Sequence, residues 1–265
     1  MSRWFSRAAA AASVALLVLA ASPGGHGAPP AQDKETVGAK GPGRTVLPVN
    51  QIVTPIGIQS TLPGLRPQAL ALSPDNALLA VSGKTHELII LDPISGRIEQ
   101  QVPLPAEEQE EQHPEVVSPQ ILDPDVKGQL SYTGLVFAPD GRRIYMSNVQ
   151  GSIKVFAVDP DGYVEPSHTI RLPPAGAPRR AEEIPAGLAL SPDGRRLYVC
   201  GNLSNRLLEI DTAGAAVLRT FDVGALPFDV VLAGDKAYVS NWGGRRPGPG
   251  DLTGPAGRGT KVRVD

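Results

Sequence analysis

The residues best suited to bind a ligand lie near the end of the chain, between Trp242 and Gly259. Glycines let backbone N–H groups approach a ligand, and an arginine can hold a phosphate or a carboxylate with two hydrogen bonds. A tryptophan adds a face for stacking or for a cation–π contact. This composition predicts a loop that binds an anionic small molecule or protein through Trp242, Arg245, Arg246, Asp251 and Arg258. The alternative is a structural loop with solvated arginines, which is the commoner role of a segment that connects strands.

Candidates for catalysis and metal binding are weaker. Carboxylates and one histidine cluster between Glu107 and Glu115, which predicts a solvated insertion loop, with weak binding of a hard cation as the alternative. The histidines of the chain are scattered and lack the spacing of metal ligands. Gly254–Lys261 imitates a phosphate-binding loop, but its Lys and Thr stand in the wrong order and no helix is predicted after it. We therefore predict no catalytic residue, no metal site and no cofactor.

Cysteine content and charge exclude several classes of protein. Cys200 is the only cysteine, so an internal disulfide, a cysteine-rich zinc site and Cys-x-x-Cys-His haem attachment are excluded. It falls where the related segments carry Ser82, Ser147 and Ser240, which predicts a small core residue rather than a nucleophile. The formal charge of −2 offers no basic excess for a phosphate backbone, so we expect no nucleic-acid partner.

The start of the chain predicts export. Arg3 and Arg7 precede Ala8–Ala21, a run of small and apolar residues that is shorter than the about 20 needed for a membrane span. Residues 1–28 are predicted to be a signal peptide, with an uncleaved membrane anchor as the alternative. Residues 29–45, rich in proline, glycine and charge, predict a flexible leader. We expect a periplasmic or extracellular protein with no membrane span after cleavage.

Internal repetition indicates the architecture. Gly134–Asn148 and Gly187–Gly201 are closely similar, Ala69–Gly83 is a looser copy, and Val230–Asn241 is a shortened one. The aspartates of their shared turn are 65, 53 and 42 residues apart. A four-stranded propeller blade takes about 40–45 residues, so the longer intervals predict insertions near residues 106–128 and 174–183.

Each copy predicts four short strands. Ser191–Gly194 has the residues of a tight hairpin turn, because Pro presets φ, Asp bonds its own backbone and Gly accepts a positive φ. The strands predicted for the third copy are Ala186–Leu190, Arg196–Cys200, Arg206–Asp211 and Ala216–Asp222. The predicted fold class is all-β: a β-propeller of four-stranded blades over residues 46–265, with about four blades present.

Several motifs carry a family resemblance. Tyr145–Asn148, Tyr198–Asn202 and Tyr238–Asn241 resemble the strand motif of bacterial YVTN-type, YncE-like β-propellers. Val239–Gly254, with its Asn-Trp-Gly-Gly-Arg-Arg stretch, resembles exported proteins that join such a propeller to a downstream phosphoesterase domain of the alkaline phosphatase type. The resemblance covers nearly all of the chain after the leader. It implies a seven-bladed propeller, with any hydrolase activity in the downstream domain.

The chain departs from that family in its number of blades. Four units are visible instead of seven, so we expect the N-terminal portion of a longer propeller, whose partners are further C-terminal blades of its own or a phosphoesterase domain. A closed four-bladed propeller is the alternative. Ile52–Leu62 predicts one spare strand ahead of the first unit.

Three classes of function are compatible with these observations. The first is an exported, non-catalytic propeller that serves as a binding or scaffold module, and this is the function that we expect. The second is a hydrolase of the lactonase kind seated in the propeller channel, for which the sequence shows no converging His, Glu and Asp set. The third is a redox propeller using haem or quinone, for which the sequence shows no suitably arranged ligands.

Overall fold

The computed structural model of the protein describes residues 36–39, 43–49, 51–84, 86–106 and 130–264. The predicted signal peptide and the acidic segment from Glu107 to Glu115 lie outside these residues. The chain divides into two compact units, Met1–Gly57 and Ile58–Asp265.

The described part of the first unit is a small antiparallel sheet. Its strands are β1 (Gly38–Ala39), β2 (Thr45–Val46) and β3 (Ile52–Val53), with β2 in the centre. The spare strand predicted for Ile52–Leu62 is wrong, because only Ile52 and Val53 are in a strand and they pair with Val46 and Thr45. Proline at 55 has no N–H to donate, and Gly57 has a φ of 104°, so the extended chain ends there.

Three four-stranded antiparallel sheets make up most of the second unit, and in each the strands are paired in chain order. We refer to these sheets as blades 1 to 3. Blade 1 contains β4 (Pro67–Leu72), β5 (Leu79–Gly83), β6 (Glu87–Leu91) and β7 (Ile98–Pro103); blade 2 contains β8 (Leu130–Phe137), β9 (Arg143–Asn148), β10 (Ser152–Val158) and β11 (Val164–Arg171); blade 3 contains β12 (Pro185–Leu190), β13 (Arg196–Gly201), β14 (Arg206–Asp211) and β15 (Ala216–Asp222).

The fourth repeat forms a smaller sheet, blade 4. Its two strands, β16 (Pro227–Ala233) and β17 (Lys236–Asn241), pair with each other. Two further strands, β18 (Thr253–Pro255) and β19 (Lys261–Arg263), form a separate hairpin around a single 3-10 turn at Gly257–Gly259. The described residues contain no α-helix, and the predicted all-β class is confirmed. The four strands predicted for each copy form one sheet in blades 1 to 3, whereas in blade 4 only two strands pair.

The hairpin turns form as their sequences predict. In blade 3 the Ser191 hydroxyl donates to the Asp193 carboxylate at 2.6 Å, and Asp193 in turn accepts the backbone N–H of Arg195 at 3.1 Å. Gly194 adopts a φ of 69°. The four strands predicted for this copy match β12 to β15 within one residue at each end.

The hydrophobic core lies between neighbouring blades. Alternate residues of β9 enter different clusters: Ile144 packs with Leu88 of blade 1, whereas Tyr145 packs with Leu188 of blade 3. A strand covered on both faces needs apolar side chains on both, which explains why these strands do not alternate apolar with polar residues.

The innermost strands of successive blades approach closely. A Cβ placed on Gly187 of β12 would lie 2.6 Å from the Cα of Asp229 in β16, so only glycine fits at this position. The Ser147 hydroxyl of blade 2 donates to the carbonyl of Ala186 in blade 3 at 2.6 Å. These contacts hold blade 3 closely against blade 2 on one side and blade 4 on the other.

Candidate functional site

The predicted binding loop begins where blade 4 departs from the other blades. In blade 3 the residues 202–205 suffice to connect the second and third strands, whereas β17 is followed by a long loop before β18. The loop starts with backbone hydrogen bonds to the entrance of β16, from Trp242 N–H to the Leu226 carbonyl at 3.0 Å and from Gly243 N–H to the Ala225 carbonyl at 2.9 Å. These bonds fix the direction in which the loop leaves the blade.

Trp242 is the exposed aromatic residue of this loop. Its ring stacks on Phe228 with ring centroids 4.2 Å apart and an interplanar angle of 19°. The residue is nevertheless 65% exposed, so the outer ring face is open to solvent. A tryptophan held by one face and exposed on the other is a stacking surface with little conformational freedom to lose on binding.

Arg246 holds the loop against blade 3. Its Nε donates to the carbonyl of Val223 at 2.8 Å, and its Nη2 donates to the carbonyl of Asn205 and to the carboxylate of Asp222 at 3.1 Å. A guanidinium presents its donors in a fixed fork, so these partners also fix its orientation. The predicted ligand-binding role of Arg246 therefore competes with a structural one.

Arg245 and Asp251 pair with each other inside the loop. Two parallel bonds join them, from Nη1 to Oδ2 at 2.7 Å and from Nη2 to Oδ1 at 2.8 Å. The Gly248 N–H donates to the same carboxylate at 2.6 Å. The Arg245 hydrogen bond, followed by the Gly248 N–H, lowers the pKa of Asp251 to about 2. This bidentate pair closes the loop and occupies the guanidinium edge that an anion would need.

Arg258 is different from the other two arginines of the loop. It has a φ of 57° in the turn between β18 and β19, and it is exposed. Its carbonyl accepts the backbone N–H of Arg179 at 3.1 Å, and Arg179 is exposed as well. We call Arg179 and Arg258 the arginine pair. Neither guanidinium forms a hydrogen bond or an ion pair with any residue that the structure describes.

The sequence did not identify Arg179 as a site residue. It belongs to the insertion predicted near residues 174–183, and the bridge between Ala177 and Arg180 folds that insertion back on itself. The Arg180 side chain is bonded to the Val149 and Glu182 carbonyls, which leaves Arg179 at the tip. The two adjacent arginines of the insertion were the available signal, but nothing in the sequence connects them with Arg258.

The turns at one end of the blades border two clefts that the sequence did not predict. A cleft of about 900 Å³ lies between blades 1 and 2, and its wall is rich in carboxylates: Asp75, Asp92, Glu99, Asp140, Asp159 and Asp161. The hydroxyl of Ser73 and the N–H of Ser95 lower the pKa values of Asp75 and Asp92, respectively. These carboxylates accept bonds from their own turns, so their ordinary role is to shape the turn.

The second cleft, of about 580 Å³, lies between blades 2 and 3. Arg142, Arg143 and Arg195 border it together with Asp140 and Asp193. Because acidic residues accompany these arginines, the cleft is of mixed charge, in contrast to the arginine pair.

Cys200 is a core residue, as predicted. The side chain is buried between blades 3 and 4 beside Leu207 and Val230. Burial, and to a smaller extent the nearby Asp229 carboxylate, raises the pKa of the thiol to about 12. A thiol with this pKa is not ionised at neutral pH and is a poor nucleophile.

No group of three metal-ligating side chains is found in the described ranges. Within the same ranges, no helix has the length and apolarity that crossing a membrane requires.

The sequence matches no known protein-family profile and no curated protein. Among solved structures, a candidate 6-phosphogluconolactonase from Bacteroides uniformis matches 82% of the chain with a TM-score of 0.51 and 16% identity. A protein of unknown function from Desulfotomaculum acetoxidans matches 84% with a TM-score of 0.50 and 15% identity. The β-propeller domain of Cps50 (Swd1) from Myceliophteria thermophila matches 67% with a TM-score of 0.46 and 12% identity.

The chain spans only part of these structures: 60% of the first, 61% of the second and 50% of the third. Identities this low carry information about fold and none about chemistry. The three four-stranded meanders, the core between blades and the two structures matched with TM-scores of 0.51 and 0.50 agree, and the chain has a β-propeller fold.

Proposed function

We propose that the chain is an exported, non-catalytic propeller module that binds an anionic group, a phosphate or a carboxylate, at the arginine pair. The observation that carries this proposal is the meeting of Arg179 and Arg258, which come from two separate insertions. Their backbones are joined by a 3.1 Å hydrogen bond, and both side chains face solvent without an acidic partner among the described residues. The backbone bond brings two like-charged residues together, and an anion bound by both guanidinium groups would offset the repulsion between their charges.

The other loop arginines support this assignment by contrast. Arg245 is engaged by Asp251, and Arg246 is engaged by two carbonyls and Asp222. Displacing either from its partners would cost the bonds that hold the loop. We therefore assign anion binding to Arg258 with Arg179, stacking to Trp242, and loop support to Arg245, Arg246 and Asp251.

The resemblance of Val239–Gly254 to propellers that precede an alkaline phosphatase-type domain suggests the setting of this site. We propose that the module belongs to the YncE-like group and serves as a scaffold beside a phosphoesterase domain. A phosphate-bearing substrate or an acidic surface of that domain has the charge that the arginine pair requires. The short apolar run Ala8–Ala21 after Arg3 and Arg7 supports export, and mass spectrometry of the exported fraction is expected to find a start after residue 21.

The experiment is a binding titration of the purified chain with inorganic phosphate and with an aryl phosphate ester. We expect binding that weakens as salt is added, because the contact is electrostatic and exposed. Replacing both Arg179 and Arg258 with Ala should abolish it. Arg97→Ala is the matched control, since Arg97 is exposed but lies in a turn of blade 1 and pairs with Glu99.

Two outcomes would contradict the proposal. Binding that survives in the double variant but is lost in Arg97→Ala would place the anion elsewhere. Steady hydrolysis of the aryl phosphate by the isolated chain, abolished by point substitutions within it, would establish an enzyme instead of a binding module. The same assay with a sugar lactone tests the alternative function, a hydrolase of the lactonase kind in the propeller channel.

A further inference from the structure

Two repeats place the same arginine in different surroundings. Arg196 of blade 3 forms ion pairs with Asp211, which lies directly opposite it on β14, and with Glu209 at 3.5 Å. Arg143 is the equivalent residue of blade 2, and the residue directly opposite it on β10 is Ala157. Blade 2 therefore carries the arginine without the carboxylate that neutralises it in blade 3.

The other neighbours of Arg143 do not replace that carboxylate. Val155 is paired with Tyr145 in blade 2, as Glu209 is paired with Tyr198 in blade 3. Arg143 is exposed, and its guanidinium forms no hydrogen bond or ion pair with any residue that the structure describes. Burial and, to a smaller extent, the charge of Arg143 lower the pKa of His168. The guanidinium is thus available to an anion from solution.

Arg143 borders the cleft of about 580 Å³ between blades 2 and 3, together with Arg142 and Arg195. These two arginines are also exposed, and within the described ranges their side chains form no hydrogen bond or ion pair. The cleft is lined by blades 2 and 3, each of which packs against a blade on both of its sides. Its volume is that of a small-molecule pocket.

The two aspartates of this cleft each use one carboxylate oxygen in their own turn. Oδ1 of Asp140 accepts the N–H of Arg142 at 3.0 Å, and Oδ1 of Asp193 accepts the N–H of Arg195 at 3.1 Å. The second oxygen, Oδ2, accepts no hydrogen bond from a described residue in either case. Each turn can therefore keep its shape while Oδ2 accepts a hydroxyl group of a ligand.

We propose that this cleft binds a uronic acid, a sugar that carries one carboxylate. Three arginines against two aspartates leave the cleft with a net charge of +1. One carboxylate matches this charge, and a guanidinium can hold it with two hydrogen bonds. The sugar hydroxyls supply donors for the two aspartates, which a phosphate dianion lacks and would be repelled by. The cleft shares no residue with the arginine pair, so this inference goes beyond the proposed function.

The test is a calorimetric titration of the purified chain with glucuronate. We expect glucuronate to bind more tightly than glucose, which lacks the carboxylate, and more tightly than acetate, which lacks the hydroxyls. Arg143→Ala should weaken the binding of glucuronate about tenfold or more, because hydrogen bonds to a charged group are lost. Arg97→Ala is the control, since Arg97 lies in a turn of blade 1 and does not border this cleft.

A second variant blocks the site without removing an arginine. Ala157→Asp places opposite Arg143 the carboxylate that Asp211 provides opposite Arg196. It should pair with the guanidinium and weaken the binding of glucuronate as much as Arg143→Ala does. Ala157→Asn has nearly the same size without the charge and should bind like the wild type. Ala157 is exposed, so neither substitution enters the core, and circular dichroism checks that each variant is folded.

The double variant Arg179→Ala, Arg258→Ala separates this cleft from the arginine pair. We expect it to bind glucuronate like the wild type, whether or not the arginine pair binds phosphate. Glucuronate binding that is lost in the double variant but kept in Arg143→Ala would overturn the inference. Equal affinity for acetate and glucuronate, absence of saturable binding, or equal effects of Ala157→Asp and Ala157→Asn would overturn it as well.

Discussion

The same four-residue motif has opposite surroundings in two blades. Tyr145–Asn148 of β9 is buried throughout, whereas Tyr238 and Ser240 of the matching segment in β17 are exposed and its other two residues are half-buried. Both segments form the second strand of a hairpin, and their tyrosines pair with the equivalent residues Val136 and Val231 of the first strand. The motif therefore specifies a strand, and the neighbouring blade decides whether that strand becomes core.

The two blades also differ after the motif. In blade 2 a short turn at residues 149–151 leads into β10, which pairs with β9 along its length. In blade 4 the chain turns away at Trp242 into the arginine-bearing loop. In blade 2 the second strand is followed by the third strand of the sheet. In blade 4 the equivalent strand is followed by an exposed aromatic ring and by a loop that side-chain hydrogen bonds hold in place. A change in one connection between strands is enough to replace the next strand of the sheet with a loop.

The largest expected effect is the difference in the free energy of unfolding between Tyr145→Ala and Tyr238→Ala. Tyr145→Ala should lower the free energy of unfolding by about 3–5 kcal/mol, because it removes a large side chain from a closed core. Tyr238→Ala should change it by no more than about 0.5 kcal/mol, since this ring is 55% exposed. Urea denaturation of both variants measures the difference. Equal losses in the two variants would show that blade 4 is covered in the isolated chain.

The repeat also explains how much of the fold the sequence could predict. The Ser-Pro-Asp-Gly turn acts through bonds within a few residues, so the hairpin and the four strands of blade 3 could be predicted within one residue. Ile52–Val53 could not be placed correctly, because pairing with Thr45–Val46 depends on two-residue strands with almost no periodic signal. Burial of Tyr145 but not of Tyr238 is a property of neighbours and has no counterpart in the motif.

A smaller effect is expected from the residue that attaches the loop to blade 3. Arg246→Ala should lower the free energy of unfolding by about 1–2 kcal/mol, because the hydrogen bonds from a charged donor to the Val223 and Asn205 carbonyls and to Asp222 are lost. Arg246→Lys should not restore it, since an ammonium group cannot reproduce the fork. Arg258→Ala is the comparison within the same loop and should stay within about 0.5 kcal/mol. A larger loss for Arg258→Ala than for Arg246→Ala would reverse the roles assigned to them.

The residue types of the candidate site could be read from the sequence, but the hydrogen-bond partners of its arginines could not. Tryptophan, arginines and glycines in one loop are visible in the sequence. In the structure, however, Arg245 is bonded to Asp251 six positions later and Arg246 is bonded to atoms of blade 3. The arginine pair joins residues from two insertions that are distant in the chain, through a backbone bond between Arg179 and Arg258. Only the packing of the second unit brings those insertions together.

The smallest effect is expected from acid, at the bidentate pair in the loop. The Arg245 hydrogen bond and the Gly248 N–H lower the pKa of Asp251 from 3.8 to about 2, so the folded protein binds this proton less readily than the unfolded chain does. The contribution of Asp251 to stability is therefore fully present above the unfolded pKa and is lost as the pH falls toward about 2. Asp251→Asn has no such proton to bind. The difference in urea midpoint between the wild type and Asp251→Asn should accordingly shrink as the pH is lowered through this window. Asp193→Asn is the matched comparison, because the pKa of Asp193 is also lowered, in this case by the Ser191 hydroxyl in the blade 3 turn. A difference for Asp251→Asn that stays constant with pH would mean that the pair with Arg245 is not formed in solution, and the loop of blade 4 would then be held by Arg246 and by the backbone bonds of Trp242 and Gly243.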